Sequence, residues 1–256
     1  MDGIAMGSAL SAAGQGRARV TSGPSLPVVR LRQVGKVYDD HEGLQVTAIK
    51  SITFDIPAHR FAMIVGPSGS GKTTLLNLIG CIDIPTSGAL EVCGTRVGGL
   101  SDNAITDFRS RNIAFIFQNF NLSPVLTAYE NVEYPLLLLR LPAAQRREQT
   151  AAMLESVGLW PHRHHRPNQL SGGQKQRVAV ARALVKQPTL VLADEPTANL
   201  DTHTGAEIIA LMRKVQEEHA VSFVFSTHDP QLISHAEHTF VIRDGELVEQ
   251  RDEEKA

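Results

Sequence analysis

Cysteine is nearly absent, with Cys81 and Cys93 the only two in 256 residues. They show neither metal-ligand spacing nor a disulfide framework, so both read as reduced thiols in a reducing compartment. Charge of one sign is also lacking: 25 Lys and Arg stand against 27 Asp and Glu, a net charge of −2. Those totals imply no basic face, and a nucleic-acid partner is not expected. Long apolar runs are missing as well. The nearest, residues 136–139, is cut off by Arg140, far short of a bilayer span. Any membrane role would therefore come through a partner. No internal repeat is present, and residues 1–27, rich in Gly, Ala and Ser, lack the apolar segment of a signal peptide and read as a disordered arm.

What is there is an ordinary globular balance of 42% hydrophobic and 20% charged residues, and one strong motif. Gly66-Pro67-Ser68-Gly69-Ser70-Gly71-Lys72-Thr73 fills the phosphate-loop pattern at every required position. An apolar strand-like run, 61–65, precedes it, and a helix-like run, 72–79, follows. Glycines at 66, 69 and 71 let the backbone curl so that successive N–H groups point inward, where the helix dipole adds its positive end. The expected nucleotide contacts are Gly66, Ser68, Gly69, Ser70, Gly71, Lys72, Thr73 and Thr74. Lys72 would reach the β and γ phosphates, and the Thr73 hydroxyl would take one position on Mg²⁺.

Residues 28–38 and 47–56 alternate apolar and polar around a loop at 39–43, and 89–93 adds a short strand, which suggests an antiparallel unit. Runs 61–65, 113–117, 189–193 and 221–226 are apolar throughout and separated by helical segments, which argues for a largely parallel sheet covered on both faces. A helical insertion is expected over 119–177. In it Thr127 and Glu130 form a capping box, Pro135 should break the first helix, Pro142 opens a second that ends at Gly158, and 160–168 is an exposed loop by composition. The end of the chain reads as a hairpin over 240–249 turning at Asp244-Gly245, then a charged tail, 251–256.

Asp194 and Glu195 close the strand at 189–193, at the end where parallel sheets place ligands. Asp194 suits a Mg²⁺ shell, and Glu195 is placed to accept a hydrogen bond from an attacking water. Ser171-Gly172-Gly173-Gln174 reads first as a capped helix start, with Ser171 and Gln174 as the capping box. The two glycines expose further N–H groups there, a second anion site, so two phosphate sites on one chain suggest that they meet across a dimer. His162, His164 and His165 lie in a loop without carboxylate or cysteine partners, and a metal site is rejected.

With these motifs in place, residues 28–250 resemble the nucleotide-binding subunit of an ATP-binding cassette (ABC) transporter. The resemblance implies an α/β P-loop fold with a RecA-like parallel core and antiparallel β subdomain (28–118 and 178–250) and a helical subdomain (119–177). It also implies two ATP molecules sandwiched in a head-to-tail homodimer, Ser171 to Gln174 of one copy capping the γ phosphate held by the other. Gln118 matches the glutamine that touches Mg²⁺ or the water, and His228 the histidine that contacts the γ phosphate. Asp201 matches the dimer-seam aspartate, although as a bare residue it would equally cap the next helix. Tyr38 takes the place of the aromatic that stacks on adenine; read alone it is a strand-end core residue. The catalytic set is then Glu195, His228, Gln118 and Lys72, with Thr73, Gln118 and Asp194 on the metal. The implied setting is peripheral, at the cytoplasmic face of the cell membrane, on integral-membrane permease subunits that dock a coupling helix near Gln118 and 119–134.

Phe115-Ile116-Phe117-Gln118, Gly80-Cys81-Ile82-Asp83 and Leu192-Ala193-Asp194-Glu195-Pro196-Thr197 are most similar to the lipoprotein-releasing and macrolide-exporter ATPases, whose permeases act as levers. Two alternatives stay open: a non-transporting ATPase of the cell-division type, and a nutrient-import ATPase. A soluble cassette protein of DNA repair or translation is disfavoured, since those carry two cassettes or a long coiled-coil insertion.

Overall fold

The computed structural model describes residues 26–39 and 45–252. The expected arm up to residue 25, most of the 39–43 loop and residues 253–256 of the expected tail lie outside the described residues. Four strands form an antiparallel sheet in the order β2 (Gln45–Pro57), β1 (Pro27–Asp39), β4 (Ser87–Val92), β5 (Thr95–Arg96). A six-stranded sheet runs β10 (Glu246–Asp252), β9 (His238–Arg243), β3 (Phe61–Val65), β8 (Ser222–Thr227), β7 (Leu190–Asp194), β6 (Ile113–Ile116). Its strands are parallel except β10, which folds back on β9 through the Asp244-Gly245 turn as the sequence implies, and continues to Asp252.

The apolar strands feed two cores by simple alternation. Ala62, Ile64, Leu190, Leu192 and Val224 face a cluster shared with the antiparallel sheet and α1 (Lys72–Ile79). Phe61, Met63, Val191, Phe223 and Phe225 face the opposite cluster with α6 (Thr202–His219). Each fully buried Val, Leu, Ile, Phe or Met side chain among them contributes about 1.5–3 kcal/mol. Burial also explains the cysteines: it pushes the Cys81 thiol up to about 11 and the Cys93 thiol up to about 12, so neither is a thiolate at neutral pH. No helix among the described residues is long and apolar enough to cross a membrane.

Between β6 and β7 lie α3 (Ala128–Leu138), α4 (Ala143–Ser156) and α5 (Gly172–Leu184). The Thr127–Glu130 capping box forms as the sequence implies. Pro135 does not end its helix, which continues to Leu138. Ala128, Val132 and Leu136 are fully buried against α4 and α5, and that packing outweighs the roughly 3 kcal/mol cost of an interior proline. The 160–168 stretch is not a plain loop either. It folds into two 3₁₀ turns, Trp160–His162 and Pro167–Gln169, and the carbonyls of Arg163 and His165 accept from Tyr129 and Ala128. Two of the unpaired donors at the start of α3 are thereby satisfied. α5 runs unbroken across residues 177 and 178, burying Val178, Ala181 and Val185 on the helical side and Val180, Ala183 and Leu184 on the sheet side.

Candidate active site

The parallel register sets Val65 level with Thr227, and Asp194 level with Ser226. The C-terminal ends of three neighbouring interior strands thus bring together the glycine-rich loop, the Asp194-Glu195 pair and His228, where such sheets hold ligands.

The loop leaves β3 at Gly66, where a Cβ would lie 2.1 Å from the carbonyl oxygen of Ile242. Gly71 (φ +103°) starts α1 without a side-chain cap, so the first helical N–H groups are left for a ligand. Lys72 Nζ donates to the carbonyls of Gly66 and Pro67, 2.8 Å each, which holds the ammonium over the curl. Behind the loop, Gly245 N donates to Ser70 O at 3.0 Å and Lys50 N donates to Gly245 O at 2.9 Å. The β9–β10 turn therefore braces the cradle. The buried Ser70 Oγ has no protein partner. Free amides, an unpaired buried hydroxyl and an ammonium make a concavity that fits a polyphosphate.

Thr73 Oγ1 donates to Asp194 Oδ2 at 3.3 Å. A hydroxyl beside one carboxylate is the hard-oxygen pair that Mg²⁺ takes while keeping waters and substrate phosphates, so the donor set fits that ion. Among the described residues no three His, Cys, Asp or Glu side chains group as a metal site. Gln118 is tied in through its backbone carbonyl, which accepts from Asn199 Nδ2 at 2.9 Å.

Glu195 sits in the left-handed region (φ +46°), uncommon for a residue with a Cβ and found disproportionately at functional sites. Its N–H donates to Ser226 O at 2.9 Å. The carboxylate takes His228 Nδ1 at 2.6 Å and Thr227 Oγ1 at 3.3 Å. The Glu195 side chain is 15% exposed and that of His228 76%. An ionised carboxylate only accepts, so Nδ1 carries the proton and Nε2 is the ring's remaining face. Thr227, which had no signal of its own in the sequence, also accepts from Asp229 N at 3.0 Å, and Asp229 accepts from Thr197 at 3.1 Å.

Ser171 to Gln174 form a second group. The capping box is complete, Gln174 N donating to Ser171 Oγ and Ser171 N to the side-chain Oε1 of Gln174. A Cβ on Gly173 would lie 2.5 Å from Thr204 Cγ2, so this glycine has a packing reason the sequence did not reveal: it lets α5 approach α6. Asp201 caps α6, accepting from Thr204 N at 3.0 Å and from Thr204 Oγ1 at 2.6 Å, and those bonds hold its carboxyl below the usual range. His162 and His165 face each other, Nδ1 to Nδ1, at 3.3 Å.

Tyr38, at the tip of β1, is 38% exposed and is not a core residue. Burial, then the bond to Asp83, pushes its phenol up, while Thr74 acts in the opposite sense. A groove of about 690 Å³ runs between β6, α3 and α5, lined by Phe115, Phe117, Pro135, Leu138, Arg182 and Lys186.

Residues 49–198 match the family model described as ABC transporter. The chain is 46% identical over 220 residues to an uncharacterized ABC transporter ATP-binding protein of Thermotoga maritima, covering 86% of this chain and 93% of the relative. It is 44% identical to the macrolide export ATP-binding/permease protein MacB of Rhodopirellula baltica, over 82% of this chain but only 31% of MacB. Among solved structures, it superimposes on the ATP-binding cassette MJ0796 of Methanocaldococcus jannaschii, a dimer in a post-hydrolysis state bound to ADP and Pi. That match has a TM-score of 0.80 and 41% identity, and covers 88% of this chain and 98% of the other.

Proposed function

The chain belongs to the ABC transporter family, and on that premise we propose that it hydrolyses ATP between two copies of itself and passes the motion to a membrane permease. The observation that carries this is the convergence of Thr73, Asp194, Glu195 and His228 at the C-terminal ends of β3, β7 and β8, with Thr73 bonded to Asp194 and His228 to Glu195.

Each side chain then has a role. Lys72 exchanges its two loop carbonyls for phosphate oxygens and places its charge where negative charge develops. Glu195, fixed by its backbone bond to Ser226 and by His228, accepts a hydrogen bond from the attacking water and aligns it in line with the γ phosphate. Thr73, Asp194 and the Gln118 side chain would hold Mg²⁺, which when bound supplies charge neutralisation at the phosphates. Tyr38 offers its exposed ring to adenine. Ser171, Gly172, Gly173 and Gln174 of the second copy close over the γ phosphate, with Asp201 at the seam, and the isologous pair contains two such sites.

Docking of a coupling helix in the groove beside Phe117 and Pro135 would convert closure into work. The relatives named as export ATP-binding/permease proteins support a lever-type exporter or lipoprotein-handling permease, with the chain at the cytoplasmic face of the membrane. The test is purification from membranes in detergent and identification of the co-purifying subunit. A polytopic protein with a large extracytoplasmic domain is expected; a ribosomal or DNA fraction overturns the proposal, and a partner that moves no cargo replaces transport with signalling.

A further inference from the structure

The stretch Gly80-Cys81-Ile82-Asp83 has no place in the chemistry above, yet it joins two parts of the site. Adenine and phosphates are gripped by different elements, Tyr38 on β1 and the loop leading into α1, and the distance between them must match one nucleotide. Asp83 spans that gap. Its N–H and that of Ile82 both donate to Asn77 O of α1, so its backbone moves with the phosphate-loop helix. Its carboxylate reaches β1, taking Tyr38 Oη on Oδ2 at 2.7 Å and Lys36 Nζ on Oδ1 at 2.6 Å. Lys36 also donates to Ile84 O at 3.0 Å and lies 4.8 Å from the centre of the Tyr38 ring. Thr86 stitches the same segment to β1 through both backbone groups of Val37. Burial tends to raise the Asp83 carboxyl, but Lys36, Tyr38 and the Ile84 N–H outweigh it and hold the group ionised, in the form that accepts from both partners.

We propose that Asp83 is a positioning residue for ATP binding: together with Lys36 it fixes Tyr38 by its hydroxyl, in register with the phosphate loop, before the base arrives. The proposal rests on Tyr38 being the adenine platform. A tyrosine free to rotate would have to be immobilised on binding, and a tethered one has already lost that freedom. Asp83 and Lys36 lie outside the phosphate loop, and the Tyr38 hydroxyl meets that segment only at the Thr74 side chain, so the contribution of Asp83 lies in affinity for the base-bearing ligand.

The test measures binding of ATP and of inorganic tripolyphosphate, by competition with a fluorescent ATP analogue, together with KM and kcat. Tyr38→Phe and Asp83→Ala should each weaken ATP binding about three- to tenfold, the cost of immobilising one aromatic side chain. For Asp83→Ala, tripolyphosphate affinity and kcat at saturating ATP should not change. Asp83→Ala added to Tyr38→Phe should cost little more, since both remove one tether, and Asp83→Asn, which still accepts from the hydroxyl, should recover most of the loss. Tyr38→Phe removes one oxygen from an exposed side chain, so the tether stays testable even if Asp83→Ala folds poorly. Equal losses for ATP and tripolyphosphate would make Asp83 a mere prop of the loop and overturn the proposal. So would unchanged ATP affinity in Asp83→Ala and Tyr38→Phe where Tyr38→Ala loses about tenfold. If Tyr38→Ala itself leaves ATP affinity intact, the platform reading has failed instead, and the tether with it.

Discussion

Glu195→Gln separates binding from chemistry at this site. The substitution keeps the shape of the side chain and one oxygen to accept from His228 Nδ1, now at 2.6 Å; the amide nitrogen then faces Thr227 Oγ1, now at 3.3 Å, whose hydroxyl turns from donor to acceptor. The backbone bond to Ser226 O is untouched, and none of the phosphate-loop contacts involves residue 195. ATP affinity should therefore stay within about twofold, far below the tenfold that 1.4 kcal/mol produces. What disappears is the basic oxygen facing the water. General-base assistance contributes about 10²- to 10⁴-fold, so kcat should fall by that factor, an increase of about 3–5 kcal/mol in the barrier. Phosphate release at saturating ATP measures the loss, and sedimentation in ATP should show the variant accumulating as a closed dimer because the step that reopens it is blocked. Hydrolysis within tenfold of the unsubstituted chain would refute the assignment of Glu195 as base. Loss of ATP binding in parallel with turnover would refute the claim that the carboxylate acts only on the water.

Pro135→Ala should stabilise the protein by about 2 kcal/mol, because α3 regains an interior hydrogen bond worth about 3 kcal/mol with the removed clash, less the roughly 0.4–1 kcal/mol of entropy that proline takes from the unfolded chain. A thermal melt should rise by about 2–8 °C, and an unchanged or lower midpoint would show that the ring is needed in the groove it lines. Gly173→Ala should destabilise by about 1–3 kcal/mol through its 2.5 Å approach to Thr204 Cγ2. In a Thr204→Ser background, which keeps the bond to Asp201, urea unfolding should show that loss abolished; an equal loss in both backgrounds would rule out the contact as its cause. Lys186 is half-buried, and the desolvation of its amine, with Arg109 adding to it, lowers the group to about 8 from 10.5. The unfolded chain holds more protons between those values, so stability should be penalised in full below about pH 8 and recover by up to about 3 kcal/mol as pH rises through the window. Lys186→Met should flatten that slope in urea unfolding, and an identical slope would show that another group sets it.

The sequence by itself was sufficient for everything governed by local pattern. The phosphate loop, its preceding strand and following helix, the two capping boxes at Thr127 and Ser171, the Asp201 cap and the Asp244-Gly245 hairpin depend on residues within a few positions of one another, and each element appears where those patterns imply. Alternating runs likewise anticipated the antiparallel sheet, and runs apolar throughout the parallel one beside it. The helix through Pro135 was not legible, because the burial of Val132 and Leu136 that sustains it comes from α4 and α5. Nor were the 3₁₀ turns at 160–169, which are held by donors of α3 some thirty residues earlier. Tertiary structure alone decided which groups meet: Thr73 with Asp194 and Glu195 with Thr227 and His228, since only the register of β3, β8 and β7 sets those distances. It also gave Gly173 its packing partner and Asp83 its link to Tyr38. Such contacts join residues far apart in the chain, where propensity and periodicity carry no information and only the packed sheet fixes which side chains touch.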